Sequence, residues 1–334
     1  MSTFKFKSPL RLLITLLLLG GIGYGIYTYF SNKEPINVSI NSNATKNADK
    51  SNSKKSSGAT VENRAFNYTP EEPHENGKLK GVVEVGATGF NSFVIKMDEM
   101  KRWKIISKQF GYSLIYEQLA KTSDIRKGLQ DYISDMINNQ GVSTKNIHFV
   151  VSSGAQKKPE TVTITNELKK MGYVVNLVTP AEEGKLALQC AQPISFQNGS
   201  FVADIGSGNT KLSYYDYNNN LVSLEGPGAK YYEDKVDPKD VYKMIQNIAQ
   251  RVPEKQRVVC FLIGGVPYEL AKQVRNGEER YTVLQPPSFY KSDKEKVKAG
   301  LNIYQAMVDA TNCDTFVFDW DANFTIGFLL QLKY

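Results

Sequence analysis

The sequence has few of the side chains on which several common kinds of site depend. It contains two histidines and three cysteines in 334 residues. His74 lies in a polar stretch and His148 in an apolar, strand-like run, so a mechanism with histidine as its base has little support. The cysteines, Cys190, Cys260 and Cys313, are far apart and odd in number, which argues against a disulfide framework and a Cys/His metal site. We expect them to be buried as small apolar residues.

Charge and apolar content are also modest. A net charge of +7 is mild for 334 residues. Many lysines fall in a polar linker and on predicted helix faces, so no nucleic-acid partner is predicted. An apolar content of 41% is enough for a core but low for a fully compact enzyme, so part of the chain should lie outside a globular body.

One long apolar run, at residues 10–30, predicts a single transmembrane helix. No charge occurs between Arg11 and Lys33, and about 20 apolar residues are enough to cross a hydrocarbon core. Positive charges are concentrated before the run, so residues 1–9 should be cytoplasmic and the body extracytoplasmic, either periplasmic or on the cell surface. A cleaved signal peptide is the alternative, but the run is long and no small-residue cleavage site follows. Residues 31–78, rich in Asn, Ser and Lys, predict a disordered linker.

The folded body is organised around residues 201–215, which predict a strand, an acid, a glycine turn and a second strand. Gly206 and Gly208 let backbone amides approach an anion. Further donors for phosphate oxygens are the side chains of Ser207, Asn209 and Thr210. Asp204 is a candidate for holding hydrated Mg²⁺, which usually takes only one or two carboxylates. The alternative is a plain β-hairpin with glycines at its turn.

Residues 81–95 repeat this plan, with Glu84 as the acid and a turn that contains Gly86, Ala87 and Thr88. Two such units predict two related halves that face each other, with a phosphate and a metal between the two turns. Strands that alternate with helices in each half indicate an α/β fold.

The pairing of two such units resembles the actin, sugar-kinase and Hsp70 superfamily. This resemblance implies two ribonuclease-H-like (actin-like ATPase) domains with a cleft between them. The predicted boundaries are residues 79–195 for the first domain and 196–334 for the second.

Four stretches of the body resemble the exopolyphosphatase and guanosine-pentaphosphate phosphatase family (Ppx/GppA). Residues 204–212, DIGSGNTKL, are close to the family's DIGGGSTEL, and residues 84–89 stand where the family has a DxGSNS turn. Residues 181–188 resemble the EEARL helix start, the most family-specific of the four matches. Residues 324–330 resemble a closing segment that usually reads LREGLL.

The resemblance implies hydrolysis of a terminal phosphoanhydride with Mg²⁺. Glu183 would position or deprotonate the attacking water, Glu84 and Asp204 would bind the metal through water, and amides around Gly206 would hold the phosphate. Catalysis of this kind is mostly positioning and charge stabilisation. Taken without the resemblance, the pair Glu182 and Glu183 also fits an acidic helix N-terminus favoured by the helix dipole.

Several positions depart from the family pattern. The first acid is Glu84 instead of Asp, and Gln156 stands where the family's ATxALR segment has its arginine. The closing segment has no arginine either, so two phosphate-facing arginines are absent. Lys157 and Lys158 are candidate substitutes, but lysine does not reproduce bidentate guanidinium contacts.

The leading hypothesis is therefore a membrane-anchored, Ppx/GppA-like phosphatase that binds, and in its enzymatic form hydrolyses, polyphosphate or a nucleotide-type phosphoanhydride. The second hypothesis is a catalytically degenerate phosphate-ligand-binding or scaffold protein of the same fold. The third is an actin-like or FtsA-like assembly protein, which needs the opposite topology. The substrate and the oligomeric state, a homodimer included, stay open.

Overall fold

The computed structural model describes residue 66 and residues 68–86, 89–110, 122–313 and 315–334. All of these belong to one compact unit. The predicted transmembrane helix at residues 10–30 and most of the predicted linker lie outside the described residues. Among the helices that the structure describes, none is long and apolar enough to span a membrane.

Eleven strands occur in the described residues, and they form two sheets. The first sheet contains β1 (Lys78–Gly86), β2 (Gly89–Met97), β3 (Trp103–Phe110), β4 (Ile147–Val151) and β5 (Val175–Leu177). The second contains β6 (Ser200–Ile205), β7 (Asn209–Tyr215), β8 (Leu221–Pro227), β9 (Val259–Ile263), β10 (Tyr281–Val283) and β11 (Thr315–Asp319).

Seven α-helices occur in the same residues. They are α1 (Thr122–Ser134), α2 (Pro159–Lys170), α3 (Pro180–Ala191), α4 (Pro238–Ala249), α5 (Gly265–Ala271), α6 (Glu295–Thr311) and α7 (Phe324–Gln331). Helix α1 continues into a π-helical turn at Asp135–Asn139.

The two sheets share one strand arrangement. The first has the order β3-β2-β1-β4-β5 and the second the order β10-β11-β9-β6-β7-β8. In each sheet an antiparallel hairpin, β1–β2 or β6–β7, is extended by a parallel strand, β4 or β9. The predicted α/β class is therefore confirmed, with two mixed sheets. Strand β10, an antiparallel edge strand beside β11, was not predicted from the sequence.

Helix α3 packs against both the second sheet and the closing helix α7, and two glycines make these contacts close. A Cβ on Gly184 of α3 would lie 1.9 Å from Ser223 Oγ on β8. A Cβ on Gly327 of α7 would lie 2.0 Å from the carbonyl oxygen of Leu186 on α3. Both distances are far below van der Waals contact, so each glycine is required by the packing and not by a turn.

The packed chain begins before β1. Phe66 and Tyr68, which fall in the predicted linker, pack with the rings of Phe196 and Tyr281, and Phe66 also contacts Phe261. Aromatic pairs of this kind contribute about 0.5–1.5 kcal/mol each beyond their buried area. The C-terminal end of the predicted linker is therefore part of the folded body, and the boundaries of the two domains stay a prediction.

The three cysteines are buried, as the sequence predicted.

Candidate functional site

A buried lysine lies at the centre of the site. Strands β6 and β7 are joined by a tight turn and pair so that Lys211 lies directly opposite Asp204. Side chains at directly opposed positions of an antiparallel pair project from the same face of the sheet. The Lys211 ammonium lies 3.4 Å from Asp204 Oδ2, and the two residues are only 3% and 7% exposed.

The two adjacent glutamates at the start of α3 have different roles. Glu182 forms a capping box with Thr179: its carboxylate accepts from the Thr179 amide, and its own amide donates to the Thr179 hydroxyl. This is the local helix-start role that the sequence left open. Glu183 instead points inward and is 4% exposed.

Both oxygens of the Glu183 carboxylate are engaged inside the protein. Oε1 accepts from the Lys211 ammonium at 2.5 Å. Oε2 accepts from the Ser153 amide at 3.0 Å and from the Ser153 hydroxyl at 2.5 Å. Ser153 follows β4, so the first sheet, helix α3 and the second sheet all contribute to this carboxylate.

Glu84, the acid of the first hairpin, is held by two amide side chains. Its Oε2 accepts from Asn91 on the neighbouring strand at 2.9 Å and from Asn323, the N-cap residue of α7, at 3.0 Å. Burial, with smaller contributions from the charges of Glu183 and Asp204, raises the pKa of Glu84 to about 7 against these hydrogen bonds. Glu84 is therefore partly protonated near neutral pH.

The other charges of the site are also shifted. Burial raises the pKa of Asp204; the Lys211 charge opposes this and Glu183 adds to it. Burial alone would lower the pKa of Lys211, but Asp204 and Glu183 outweigh it and the pKa is raised. Lys211 is therefore a fixed positive charge among three carboxylates.

The turn between β6 and β7 is the solvent-facing part of the site. Gly206 and Ser207 are half-buried and Gly208 is exposed. The amides of Ser207 and Gly208 donate no hydrogen bond to the described part of the chain. Their N–H groups are therefore available to an anion.

The side chains that follow this turn are used within the protein. Asn209 donates to Glu225 Oε1 at 2.8 Å and lies 3.4 Å from the Ser153 hydroxyl. The Thr210 hydroxyl is fully buried and donates to the carbonyl oxygen of Pro227. A role of Asn209 and Thr210 in phosphate binding stays a prediction.

The first turn is only partly described. Gly86 pairs with Gly89 at the end of the β1–β2 hairpin. Ala87 and Thr88, the other predicted phosphate-binding residues of this turn, lie outside the described residues.

Two glycine segments pack closely on the site. A Cβ on Gly228 would lie 2.3 Å from the Asn209 amide nitrogen and 2.5 Å from the Ser207 carbonyl oxygen, so this segment supports the turn. Gly264, with φ of +101°, lies over Asp204, because a Cβ there would be 2.8 Å from Asp204 Oδ1. Positive φ at Gly264 is a conformation that other residues rarely adopt.

The predicted Mg²⁺ ligands do not fit a cation as they are arranged. The Lys211 ammonium lies 3.4 Å from Asp204 Oδ2, and a Cβ on Gly264 would lie 2.8 Å from Oδ1. Two like unit charges about 4 Å apart repel by about 4 kcal/mol at an effective dielectric constant of about 20, and a divalent ion doubles this. Within the described ranges, no three His, Cys, Asp or Glu side chains are grouped to hold a metal. Mg²⁺ binding by Glu84 and Asp204 stays a prediction.

Sequence reasoning did not single out Lys211, Ser153 or Asn323. The sequence did contain a signal for Lys211. If Ser207 and Gly208 form a two-residue turn, the pairing of the hairpin places Lys211 opposite Asp204. Ser153 and Asn323 reach the site through tertiary packing and have no local signal.

Gln156, which the sequence analysis set against the family's arginine, has a structural role. The Gln156 side chain donates to the carbonyl oxygens of Val178 at 2.7 Å and Val151 at 3.3 Å. It therefore joins the ends of β4 and β5. Lys157 and Lys158, the candidate substitutes, are exposed.

The arrangement of both sheets matches solved structures of one family. The Ppx/GppA enzyme of Aquifex aeolicus superposes with a TM-score of 0.57 at 14% identity, over 76% of this chain and 99% of that chain. An exopolyphosphatase of Cytophaga hutchinsonii gives a TM-score of 0.55 at 14% identity, over 75% and 96%. An exopolyphosphatase-like protein gives 0.55 at 11% identity, over 77% and 98%. The chain has the Ppx/GppA fold.

The predicted resemblance to the Ppx/GppA family is thus confirmed at the level of the fold, and the division into two actin-like domains stays a prediction. No family model matches the chain, and no curated protein matches it. Against the Ppx/GppA motif DIGGGSTEL, this chain reads DIGSGNTKL, so Lys211 stands at the position of the motif's glutamate. The positive charge at the centre of the site therefore stands where the motif has a negative charge.

Proposed function

We propose that this protein binds a phosphoanhydride compound, of the polyphosphate or nucleotide type, at the β6–β7 turn and does not hydrolyse it. Its fold supports a phosphate ligand, since the Aquifex aeolicus relative is described as a Ppx/GppA phosphatase and the Cytophaga hutchinsonii relative as an exopolyphosphatase. The exposed amides of Ser207 and Gly208 supply donors of the kind that hold phosphate oxygens.

The absence of turnover rests on the state of Glu183. A general base must come within hydrogen-bond reach of the proton that it abstracts. Here Oε1 accepts from Lys211 and Oε2 accepts twice from Ser153, in a side chain that is 4% exposed. The carboxylate that the family resemblance assigns to water activation is thus used as a structural counter-ion.

Calorimetric titration of the full-length protein with tripolyphosphate tests the binding. Saturable binding is expected, and Gly208→Val should abolish it, because a branched side chain there would cover the neighbouring amides. An added Cβ on Gly208 meets nothing within 4 Å, so the variant should fold. Gly199→Ala, where the nearest atoms lie 3.9 Å away, is the matched control. Absence of binding by folded wild-type protein would refute the proposal.

A phosphatase is the second candidate, favoured by the approach of three acids. Glu84, Glu183 and Asp204 come from both hairpins and from α3. The charges of Glu183 and Asp204 raise the pKa of Glu84, and the charge of Glu183 raises the pKa of Asp204. Mg²⁺ would be the cofactor for this candidate. Phosphate release from tripolyphosphate with Mg²⁺, lost in Glu183→Gln, would support this candidate and refute binding without turnover.

The membrane anchor at residues 10–30 remains part of the proposal, with the N-terminus cytoplasmic and the body extracytoplasmic. It is supported by the apolar run and the charges that precede it. Protease added to intact cells should degrade the body if this topology is right, and protection until the cells are opened would contradict it.

A further inference from the structure

The cation position of the site is already filled by a side chain. The Lys211 ammonium lies 2.5 Å from Glu183 Oε1 and 3.4 Å from Asp204 Oδ2. Gly264 packs over the other oxygen of Asp204. The acid that the sequence assigned to a metal thus has an ammonium group beside one of its oxygens.

The change from glutamate to lysine at position 211 alters the local charge by as much as one divalent cation would. Replacing the motif's glutamate by Lys211 raises the local charge by two units, which is the charge of one Mg²⁺. With Glu183, Asp204 and Lys211 ionised and Glu84 partly protonated, the site carries a net charge between one and two negative units. A site with a fourth carboxylate in place of Lys211 and one bound Mg²⁺ carries the same net charge.

We propose that Lys211 supplies internally the charge that a divalent metal would supply, so that this protein binds metal-free phosphoanhydrides. The inference rests on the proposed function for its ligand, but the role of Lys211 is independent of it. A lysine suits this role because its ammonium is a compact point charge on a flexible stem. Lys211 acts as a positioning and charge-balancing residue and not as a catalytic one.

The first test needs no ligand. Binding of Mn²⁺, which uses the same carboxylate ligands as Mg²⁺, is measured by electron paramagnetic resonance on the full-length protein. The wild type should show no Mn²⁺ site that Asp204→Asn removes. Lys211→Glu should bind Mn²⁺ on the order of tenfold more tightly than the wild type, because an acid replaces the repelling cation. Lys185→Met, an exposed lysine of α3, is the control and should behave as the wild type.

A Mn²⁺ site in the wild type that disappears in Asp204→Asn would overturn the inference. This wild-type result is decisive even if Lys211→Glu does not fold. If Lys211→Glu folds and gains no affinity for Mn²⁺, the inference is also overturned, because a restored acid would then not restore a metal site.

The second test uses tripolyphosphate. The affinity of the wild type in excess EDTA should be at least as high as in excess Mg²⁺, because Mg²⁺ complexes the tripolyphosphate itself and lowers the concentration of the metal-free ligand. Binding that requires Mg²⁺ would overturn the inference and leave the proposed function standing. Absence of binding under both conditions would refute the proposed function, while the Mn²⁺ measurement would still decide the role of Lys211.

Discussion

Lys211 of strand β7 and Glu183 of helix α3 form an ion pair at 2.5 Å in which the side chains are 3% and 5% exposed. Ser153, which follows β4 of the first sheet, donates two further hydrogen bonds to the Glu183 carboxylate. Buried pairs of this kind are sensitive to the loss of one partner, because the remaining charge is then uncompensated. This relationship makes the site a structural junction between the two sheets.

Lys211→Met should destabilise the protein strongly. It leaves Glu183 and Asp204 as buried acids without a counter-charge, and breaking such a pair costs about 3–5 kcal/mol. The free energy of unfolding, measured in urea at neutral pH, should fall by that amount. Glu183→Gln should cost less, because Asp204 still pairs with Lys211 and Ser153 still has an acceptor. Lys185→Met, which removes an exposed lysine from α3, is the control. If both lysine variants lost the same free energy of unfolding, the result would count against the ion pair.

Stability should fall as the pH rises through the titration of Glu84. The pKa of Glu84 is raised from 4.5 to about 7 in the folded protein, so the folded state binds this proton more tightly than the unfolded state. The free energy of unfolding should therefore decline between about pH 4.5 and pH 7 and level off above that range. Glu84→Gln should flatten the decline, with a residual slope from Asp204, whose pKa is also raised.

Glu182→Gln is a control that should change the pH dependence of stability in the opposite direction. Hydrogen bonds from Thr179 lower the pKa of Glu182, so its stabilisation is present at neutral pH and is lost on acidification. Chemical unfolding at several pH values separates the two effects. A Glu84→Gln variant with the same pH profile as the wild type would show that Glu84 does not titrate in this range.

Gly228→Ala should displace the β6–β7 turn. The added Cβ would lie 2.3 Å from the Asn209 nitrogen, and these backbone atoms cannot rotate away. Tripolyphosphate binding should be lost at a temperature where the variant is still folded. Gly226→Ala is the matched control, because its Cβ would meet only the ends of two isoleucine side chains at 2.9 Å. Retained binding in Gly228→Ala would remove the turn from the site.

Gly327→Ala should weaken the contact between α3 and α7. The Cβ would lie 2.0 Å from the Leu186 carbonyl oxygen. Overpacking typically costs about 1–3 kcal/mol, and we expect a clash with backbone this close to lie at the upper end. Gly208→Ala, where an added Cβ meets nothing within 4 Å, should change the free energy of unfolding by less than about 0.5 kcal/mol. Thermal unfolding that ranks the two variants the other way would contradict the packing described here.

Much of the fold could be predicted from local pattern. Glycine turns that follow an acid, at Glu84 and Asp204, marked both hairpins, and the alternation of strands and helices predicted the α/β class. Strand β10 was missed because three residues at a sheet edge leave almost no periodicity in the sequence.

The chemistry of the site was harder to predict because it depends on contacts between distant elements. Glu183 and Asp204 were both singled out from the sequence, but Lys211, which lies beside both carboxylates, was not recognised as buried. Lysine is rarely buried unless it is paired, so nothing in the local sequence predicts a buried ammonium at this strand position. Only the register of the hairpin, combined with the packing of α3, shows which way its side chain points.

Phosphate release and calorimetric binding, measured on one sample of the full-length protein with tripolyphosphate, test the central claim most directly. The account predicts saturable binding in EDTA and in Mg²⁺, with no phosphate release above that of Glu183→Gln in either condition. Mg²⁺-dependent release that Glu183→Gln abolishes would contradict it and would show that the Lys211–Glu183 pair opens to an active phosphatase.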